Sequence, residues 1–182
     1  ISEKGKFADA LSVLKNEMIG SYCFTFLSDD TSVYAARDPR GFRPLVLGKK
    51  TDGETHIVAS ESSALSAIGA DLIRDVIPGE LIKFSEKGVQ SEMFSEEKQK
   101  AHCSFEFTYF AHPSSNMEGS NIYIARKKIG QFLAKKFPIK DADLVIPVPD
   151  SARPAALGYA HELGVQFDEG LLKDRYSKKG PL

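Results

Sequence analysis

Residues 143–151 have the sequence DLVIPVPDS, in which an apolar run is followed by an acid and a hydroxyl. Leu144 to Pro149 is typical of a short buried strand. A helix is predicted from about Arg153. Pro154 lies in its first turn, where the N–H that proline lacks would have no partner within the helix. Upstream, one face of an earlier helix is traced by Ile122, Ala125, Ile129, Phe132 and Leu133. Helix, strand and helix in this order predict the start of an α/β unit with a parallel sheet.

The acid and the hydroxyl that follow this strand, Asp150 and Ser151, form the first candidate site. In open α/β sheets, ligands bind outside the carboxyl ends of strands, and a helix N-terminus offers N–H groups to phosphate. A phosphorylated, magnesium-bound ligand is therefore one interpretation, and simple helix capping by Ser151 is the other. In residues 173–176, KDRY, Lys173 or Arg175 could contact phosphate, or the run could be solvated surface.

The N-terminal half has an α+β pattern. Apolar residues recur at helical spacing from Phe7 to Met18, and a hairpin is predicted from strands at residues 21–28 and 33–36. A helix is predicted at residues 62–68, and further short strands at residues 44–47, 56–59, 72–77, 80–84 and 89–94. A largely antiparallel sheet flanked by helices is expected. The charged residues 95–101 predict a connector, so the predicted domains are residues 1–94 and 102–182.

Composition excludes several classes of function. The 182 residues are 42% hydrophobic and 27% charged, with a net charge of -1. The chain therefore has no excess of positive charge to attract nucleic acid. No run of about 18 apolar residues suggests a membrane span, and no signal peptide is recognisable. The two cysteines, Cys23 and Cys103, form no CxxC motif, which fits a reducing, cytoplasmic setting. We expect a small-molecule protein with no nucleic-acid and no membrane partner.

Two other segments are predicted to be structural. Residues 37–45, RDPRGFRPL, read as a rigid loop in which Asp38 pairs with Arg37 or Arg43. Residues 103–110, CSFEFTYF, read as an aromatic strand in which Cys103 is a small buried hydrophobe.

Taken in order, these segments resemble glutamine phosphoribosylpyrophosphate amidotransferases over nearly the whole chain. The matching segments are residues 37–45 with RDPxGxRPL, 59–62 with ASES, 77–80 with APGE, 103–111 with CxFEYxYFA, 145–151 with VIPVPDS and 170–176 with GLIKNRY. The resemblance implies that residues 1–94 are the later part of a glutaminase domain of the N-terminal-nucleophile hydrolase type. Residues 102–182 would then begin a type I phosphoribosyltransferase domain.

The same resemblance implies an activity, the first committed step of purine synthesis, which converts glutamine, phosphoribosyl pyrophosphate and water into 5-phosphoribosylamine, glutamate and pyrophosphate. It implies that Ser151 matches a hydroxyl at the Mg²⁺ site and Lys173 a lysine at the nucleotide or substrate site. Cys103 matches the first ligand of an iron–sulfur cluster in the cluster-bearing branch. Feedback inhibition by purine nucleotides and a homo-oligomeric state are also implied.

The chain departs from the family pattern at several positions. His112 and Ser114 stand where arginine and aspartate are usual, and Asp174 replaces asparagine. The family's nucleophilic cysteine would precede Ile1, and its VDDSIVRGTT loop would follow Leu182. No catalytic residue is therefore predicted here, and the chain alone is expected to be inactive. The alternatives are a plain type I nucleobase phosphoribosyltransferase and a non-catalytic nucleotide-binding or oligomerisation module.

Overall fold

The computed structural model describes residues 7–96, 99–174 and 176, which form two compact units. The first unit runs to Ser104 and takes in Asn116–Glu118, and the second comprises Phe105–Ser115 and the described residues from Gly119 onward. The Ala101 N–H donates to the carbonyl oxygen of Arg40 (2.9 Å), and the Cys103 N–H donates to that of Phe42 (3.0 Å). These residues therefore join the first unit, while the assignment of domains at residues 1–94 and 102–182 stays a prediction.

The first unit contains two helices and two antiparallel sheets in its described part. The helices are α1 (Phe7–Glu17) and α2 (Ser62–Ala67). The strands are β1 (Cys23–Leu27), β2 (Val33–Arg37), β3 (Val46–Lys50), β4 (His56–Ala59), β5 (Ala70–Asp75), β6 (Glu80–Ser85), β7 (Gly88–Met93) and the two-residue β8 (Asn116–Met117). One sheet has the order β1-β2-β6-β7 and the other β4-β3-β5. The predicted helices, hairpin and antiparallel pattern are confirmed.

The side chains of the first unit define four layers, α/β/β/α. Helix α1 packs on the first sheet through Leu11, which shares an apolar cluster with Tyr34 and Ala36. The intervening residue, Ala35, points to the opposite face, where a second cluster joins the two sheets. A third cluster unites the second sheet with Leu65 of α2. Because successive residues of a strand face opposite sides, strands buried on both faces are apolar in sequence, which is the pattern seen in β2.

An ion pair between the buried Glu80 and the partly exposed Arg74 fixes the turn between β5 and β6. Glu80 is 2% exposed and accepts two bonds from the Arg74 guanidinium, Nη1 to Oε2 at 2.7 Å and Nη2 to Oε1 at 2.6 Å. Its Oε2 also accepts the Ile77 N–H at 2.8 Å. Burial alone would raise the pKa of Glu80, but the bonds from Arg74 and Ile77 outweigh it and the pKa is lowered.

The second unit begins with a π-helical turn at Glu106–Phe110, so the strand predicted for residues 103–110 is wrong. The Ala111 N–H donates to the carbonyl of Glu106, five residues earlier. The Arg126 guanidinium, buried on the next helix, donates to the carbonyl oxygens of Phe107 (2.7 Å) and Ala111 (2.8 Å). Because the Arg126 side chain satisfies these carbonyl oxygens, the segment does not need hydrogen bonds from a neighbouring strand.

The rest of the second unit is a helix–strand–helix–strand unit. Its elements are β9 (Ser120–Asn121), α3 (Ile122–Lys136), β10 (Leu144–Val145), α4 (Arg153–Leu163) and β11 (Gln166–Phe167). Strands β10 and β11 pair in parallel, which confirms the predicted parallel arrangement. The ladder is only two residues long, and Ile146 and Val148 are exposed, so the expectation of a buried strand through Pro149 is wrong. Pro147 and Pro149 have no N–H for such a ladder.

Helices α3 and α4 meet through glycine, not through the predicted apolar face. Ile129, Phe132 and Leu133 are exposed, whereas Ile122, Arg126, Gly130 and Ala134 are buried. A Cβ added to Gly130 would overlap the Ala155 carbonyl group, and one added to Gly158 would overlap the Lys127 carbonyl group. The two glycines therefore set how closely the helices approach each other. No helix in the described part of the chain is long and apolar enough to cross a bilayer.

We predict that Gly130→Ala destabilises the second unit. Alanine gains about 1 kcal/mol of helix propensity, but overlap with backbone atoms of α4 costs more, so the net loss is about 2 kcal/mol or greater. Urea unfolding followed by circular dichroism measures it, with Lys128→Ala on the exposed side of the same helix as the control. Equal or higher stability of Gly130→Ala would refute the close approach.

We also predict that Glu80→Gln lowers the free energy of unfolding of the first unit by about 2 kcal/mol near neutral pH, because bonds to a charged partner are lost. Since the folded-state pKa of Glu80 is lowered, its contribution is present above the ordinary glutamate pKa and is lost as pH falls through the folded value. The difference between wild type and variant should therefore shrink in acid. The exposed Glu92→Gln on β7 is the matched control, and a difference that does not change with pH would contradict the assignment.

Candidate functional site

The carboxyl-terminal edge of β10 and β11 brings together three charged side chains. Arg153, at the start of α4, lies 3.4 Å from Asp150 (Nη1 to Oδ1) and 3.1 Å from Glu169 (Nε to Oε1). Its Nη2 also donates to Oε2 of Glu169 at 3.3 Å. The Asp168 N–H donates to the Val145 carbonyl at 3.2 Å, which extends the pairing at this edge. Arg153 thus links the loop after β10 with the loop after β11.

Ser151 does not cap the helix that follows it. The N-cap of α4 is Ala152, and no side chain caps it. Ser151 is half-buried and makes no hydrogen bond with any described residue, so its hydroxyl is free for another partner. Hydroxyl and carboxylate oxygens are ligands that Mg²⁺ accepts, and Ser151 and Asp150 offer one of each. The described residues contain no cluster of three histidine, cysteine or acidic side chains.

Lys173, one of the two basic site candidates, is not brought to this edge by any contact among the described residues. Lys173 is exposed, in irregular backbone after β11, and forms no ion pair with a described residue. Arg175 lies outside the described residues. The Asp174 carboxylate accepts the N–H of Tyr176 at 2.9 Å. A phosphate contact through Lys173 or Arg175 therefore stays a prediction.

The first unit is organised around the loop at residues 37–45. Arg37 is 1% exposed, and its guanidinium donates to the carbonyl oxygens of Arg43 (2.8 Å), Val76 (2.7 Å) and Gly41 (3.1 Å). The pairing predicted for Asp38 with Arg37 or Arg43 is wrong. Its carboxylate instead accepts the N–H groups of Arg40 and Phe42, both at 3.0 Å. The loop is structural, as expected, but the Arg37 guanidinium and the Asp38 carboxylate both bond to backbone groups.

Cys23 is not placed as an activated nucleophile, and the chain's two cysteines are too few for a set of metal-binding thiols. Burial raises the pKa of the Cys23 thiol to about 11, and its Sγ lies 3.7 Å from the Pro44 carbonyl oxygen. Cys103 is half-buried in the first unit. An iron–sulfur cluster takes about four thiolates, and the chain has two cysteines in all. The residues of this chain therefore do not make up a cluster site.

Sequence reasoning missed Arg153, Glu169 and Glu118. Arg153 follows Asp150 by three residues, a spacing at which charges meet in a helical turn, and that signal was available. Glu169 and Glu118 contact residues far away in the chain, Glu118 lying 2.8 Å from Arg37, and nothing local marks them. His112 and Ser114, the two departures from the family pattern, contact each other, with Nδ1 and Oγ 2.7 Å apart.

A family model and individual proteins match overlapping parts of this chain. Residues 6–67 match a family model described as a glutamine amidotransferase domain. Amidophosphoribosyltransferase of Mycobacterium tuberculosis strain H37Rv is 46% identical over 157 residues, which are 86% of this chain and 29% of that protein. The Archaeoglobus fulgidus enzyme of the same name is 41% identical over 174 residues, 96% of this chain and 37% of that protein. This chain thus spans about a third of the length of such relatives.

Two solved structures have the same architecture. The one described as the allosteric regulatory enzyme of purine biosynthesis superposes with a TM-score of 0.89 at 37% identity, covering 98% of this chain and 37% of that one. Glutamine phosphoribosylpyrophosphate amidotransferase from B. subtilis, complexed with ADP and GMP, gives a TM-score of 0.87 at 38% identity, with coverage of 96% and 38%. Both superpositions include both units of this chain.

We predict that Cys23 alkylates slowly in the folded protein. With a pKa of about 11, its thiolate fraction near pH 8 is roughly two orders of magnitude below that of an ordinary thiol. Iodoacetamide labelling of Cys103→Ser, followed by peptide mass, should therefore be slow in buffer and accelerate as pH rises towards 11. The urea-unfolded sample is the control, and equal rates in both samples would contradict the burial of this thiol.

Proposed function

The chain is homologous to amidophosphoribosyltransferases over most of its length, and on that premise we propose that the intact protein catalyses this reaction. Glutamine, phosphoribosyl pyrophosphate and water would give 5-phosphoribosylamine, glutamate and pyrophosphate. The observation that carries the proposal is that the homology and the superpositions extend over both units, up to 98% of the chain.

The first unit would supply the later part of the framework for releasing ammonia from glutamine. Its four layers and its match to a glutamine amidotransferase domain support this role. Amide hydrolysis needs an activated nucleophile, and the high thiol pKa argues against Cys23 in that role. Both Cys23 and Cys103 are interior residues without the free α-amino group that the family's nucleophilic cysteine uses as its base, so neither is assigned as the nucleophile.

The second unit would supply one edge of the phosphoribosyl pyrophosphate site, at the start of a type I phosphoribosyltransferase domain. Ammonia attacks C1 of the ribose and pyrophosphate leaves, so negative charge develops on the departing oxygen. The Ser151 hydroxyl and the Asp150 carboxylate lie at the strand end where such ligands bind. Lys173 and Arg175 would add positive charge from the following segment.

Mg²⁺ is the metal that this edge suits. Bound there with the substrate, it would neutralise the charge on the pyrophosphate group as it leaves. Ser151 would hold it directly, and the Arg153 contact would orient Asp150 beside it. An iron–sulfur cluster in the intact protein would need thiolates beyond Cys103 and Cys23, and no step depends on it.

We further propose purine nucleotides as inhibitors, a homo-oligomeric state and a cytoplasmic setting. The first is supported by the relative solved with ADP and GMP. The second is consistent with the exposure of large apolar side chains on α3, where Phe132 is 70% exposed.

A plain nucleobase phosphoribosyltransferase is disfavoured, because such an enzyme would not need the glutamine amidotransferase domain matched at residues 6–67. A non-catalytic module would bind nucleotides without turnover.

We predict that Ser151→Ala in the full-length enzyme lowers phosphoribosylamine formation at least about tenfold with ammonia as the nitrogen source, because a metal contact is lost. Ammonia bypasses the glutaminase, so the loss belongs to the second unit. Ser120→Ala, an exposed serine of the same unit, is the control and should retain activity. The chain of 182 residues alone should produce no phosphoribosylamine and no glutamate.

Two results would contradict the proposal. Full activity of the Ser151→Ala enzyme would show that Ser151 does not contact the metal. It would not contradict the proposed reaction. A full-length protein that makes no phosphoribosylamine from either glutamine or ammonia, but binds purine nucleotides, would favour the non-catalytic module.

A further inference from the structure

A three-residue strap, Asn116–Glu118, is docked on the first unit through its ends. At one end, the Asn116 N–H donates to Oγ of Ser62 at 2.8 Å. At the other, Glu118 Oε1 lies 2.8 Å from Nη1 of the buried Arg37. Met117 between them is buried. The strap therefore contributes an acid to the charge balance of a guanidinium that water does not reach.

The docked strap has an unfavourable backbone conformation. Glu118 has a φ of +50°, in the left-handed region that residues other than glycine rarely adopt. Such a conformation costs energy and persists only where surrounding contacts hold it. Here the Glu118 carboxylate makes such a contact with Arg37, so weakening it would favour release.

The ion pair itself has incomplete hydrogen bonding. Nη1 of Arg37 donates to the Val76 carbonyl at 2.7 Å, whereas Oε1 of Glu118 accepts no hydrogen bond from any described residue despite its short distance to Nη1. The attraction is therefore one of charge, without the alignment that strengthens a paired guanidinium and carboxylate. Another carboxylate could replace it without the loss of an aligned bond.

Such a carboxylate is present next to the pair. Asp75, at the end of β5, has a buried Oδ1 that accepts no hydrogen bond from the described residues. Burial raises the pKa of Asp75, the Glu118 carboxylate raises it further, and Arg37 lowers it. Asp75 directly precedes Val76, whose carbonyl oxygen accepts the Arg37 Nη1 bond at 2.7 Å, so this strand end lies beside the ion pair. One guanidinium thus has two acids beside it.

We propose that Asp75 and Glu118 are alternative partners of Arg37, and that Asn116–Glu118 is a releasable strap that detaches when Asp75 takes over the guanidinium. A buried cation left without any counter-charge would be strongly unfavourable. Asp75 removes that obstacle, because Arg37 keeps a carboxylate in both states. The exchange needs no change in the carbonyl contacts of Arg37 with Gly41 and Arg43.

The exchange is coupled to a proton on Asp75. With the strap docked, the pKa of Asp75 is raised; release exposes the carboxyl group and removes Glu118, so the pKa falls and the proton leaves. The docked state is thus favoured below the ordinary aspartate pKa of about 3.9 and is weakened as pH rises through the raised value. His102 also faces Glu118, with Nε2 3.6 Å from Oε2, and attracts it only when protonated.

Amide hydrogen exchange of the whole chain, followed by mass spectrometry, tests the strap. The readout is the protection of the amides at residues 116–118, corrected for the intrinsic rate at each pH, with amides of β2 as the reference for global unfolding. We expect protection of the wild-type strap to fall as pH rises through the raised pKa of Asp75, while β2 stays protected. Glu118→Gln should lower strap protection about tenfold or more both below and above that transition.

Asp75→Asn tests the alternative partner, because its side chain keeps the shape but cannot ionise. We expect its strap protection to be independent of pH. Asp71→Asn, on the exposed part of the same strand, is the matched control and should behave as wild type. His102→Gln should keep the wild-type fall in protection, since the effect is assigned to Asp75.

Several outcomes overturn the proposal. Unchanged protection in Glu118→Gln would show that the ion pair does not hold the strap. A wild-type pH dependence in Asp75→Asn, or its loss in His102→Gln, would assign the proton to another group. If Glu118→Gln also unfolds β2, Asp75→Asn and Glu118→Asp decide, because the shorter acid should weaken the strap alone. The test uses no substrate, so its failure is distinct from failure of the proposed function.

Discussion

The first unit depends on one buried guanidinium. Arg37 sits at the end of a central strand, and its carbonyl partners come from the loop at residues 37–45 and from the residue after β5. Leu45 and Val76, which belong to these two segments, pack in the apolar cluster between the sheets. A cation removed from water needs all of its donors satisfied, and the carbonyls that satisfy this one hold both segments in place. Charge and apolar packing are therefore mutually dependent here.

The local structure of the first unit was predictable from sequence, whereas its polar pairings were not. Helical and strand periodicity depend on neighbouring residues, so α1, the first hairpin and β4 follow from the pattern at residues 7–59. The pairing of Asp38 was mispredicted because charge alone favours an arginine. Within a tight turn, however, backbone N–H groups point inwards and need an acceptor, and a short aspartate side chain reaches them first.

In the second unit, the place of Asp150 and Ser151 between β10 and α4 was predictable, but the contacts around them were not. The rule that ligands bind beyond strand ends selects Asp150 and Ser151 from the sequence. The link from Arg153 to Glu169 joins loops on either side of α4, and no sequence spacing predicts it. The face of α3 was mispredicted because apolar residues were counted as the packing surface, while Gly130 allows backbone to approach where a larger side chain would not.

The glycine contact between α3 and α4 also limits which compensating changes are possible. When two side chains clash, a smaller residue on one helix can restore the fit, which makes such pairs vary together among homologues. Gly130 and Gly158 each face a peptide carbonyl group, which every residue type carries. Second-site suppressors of a substitution at either glycine would therefore have to move a helix axis, not exchange a neighbour. The two positions should show strong constraint without pairwise covariation.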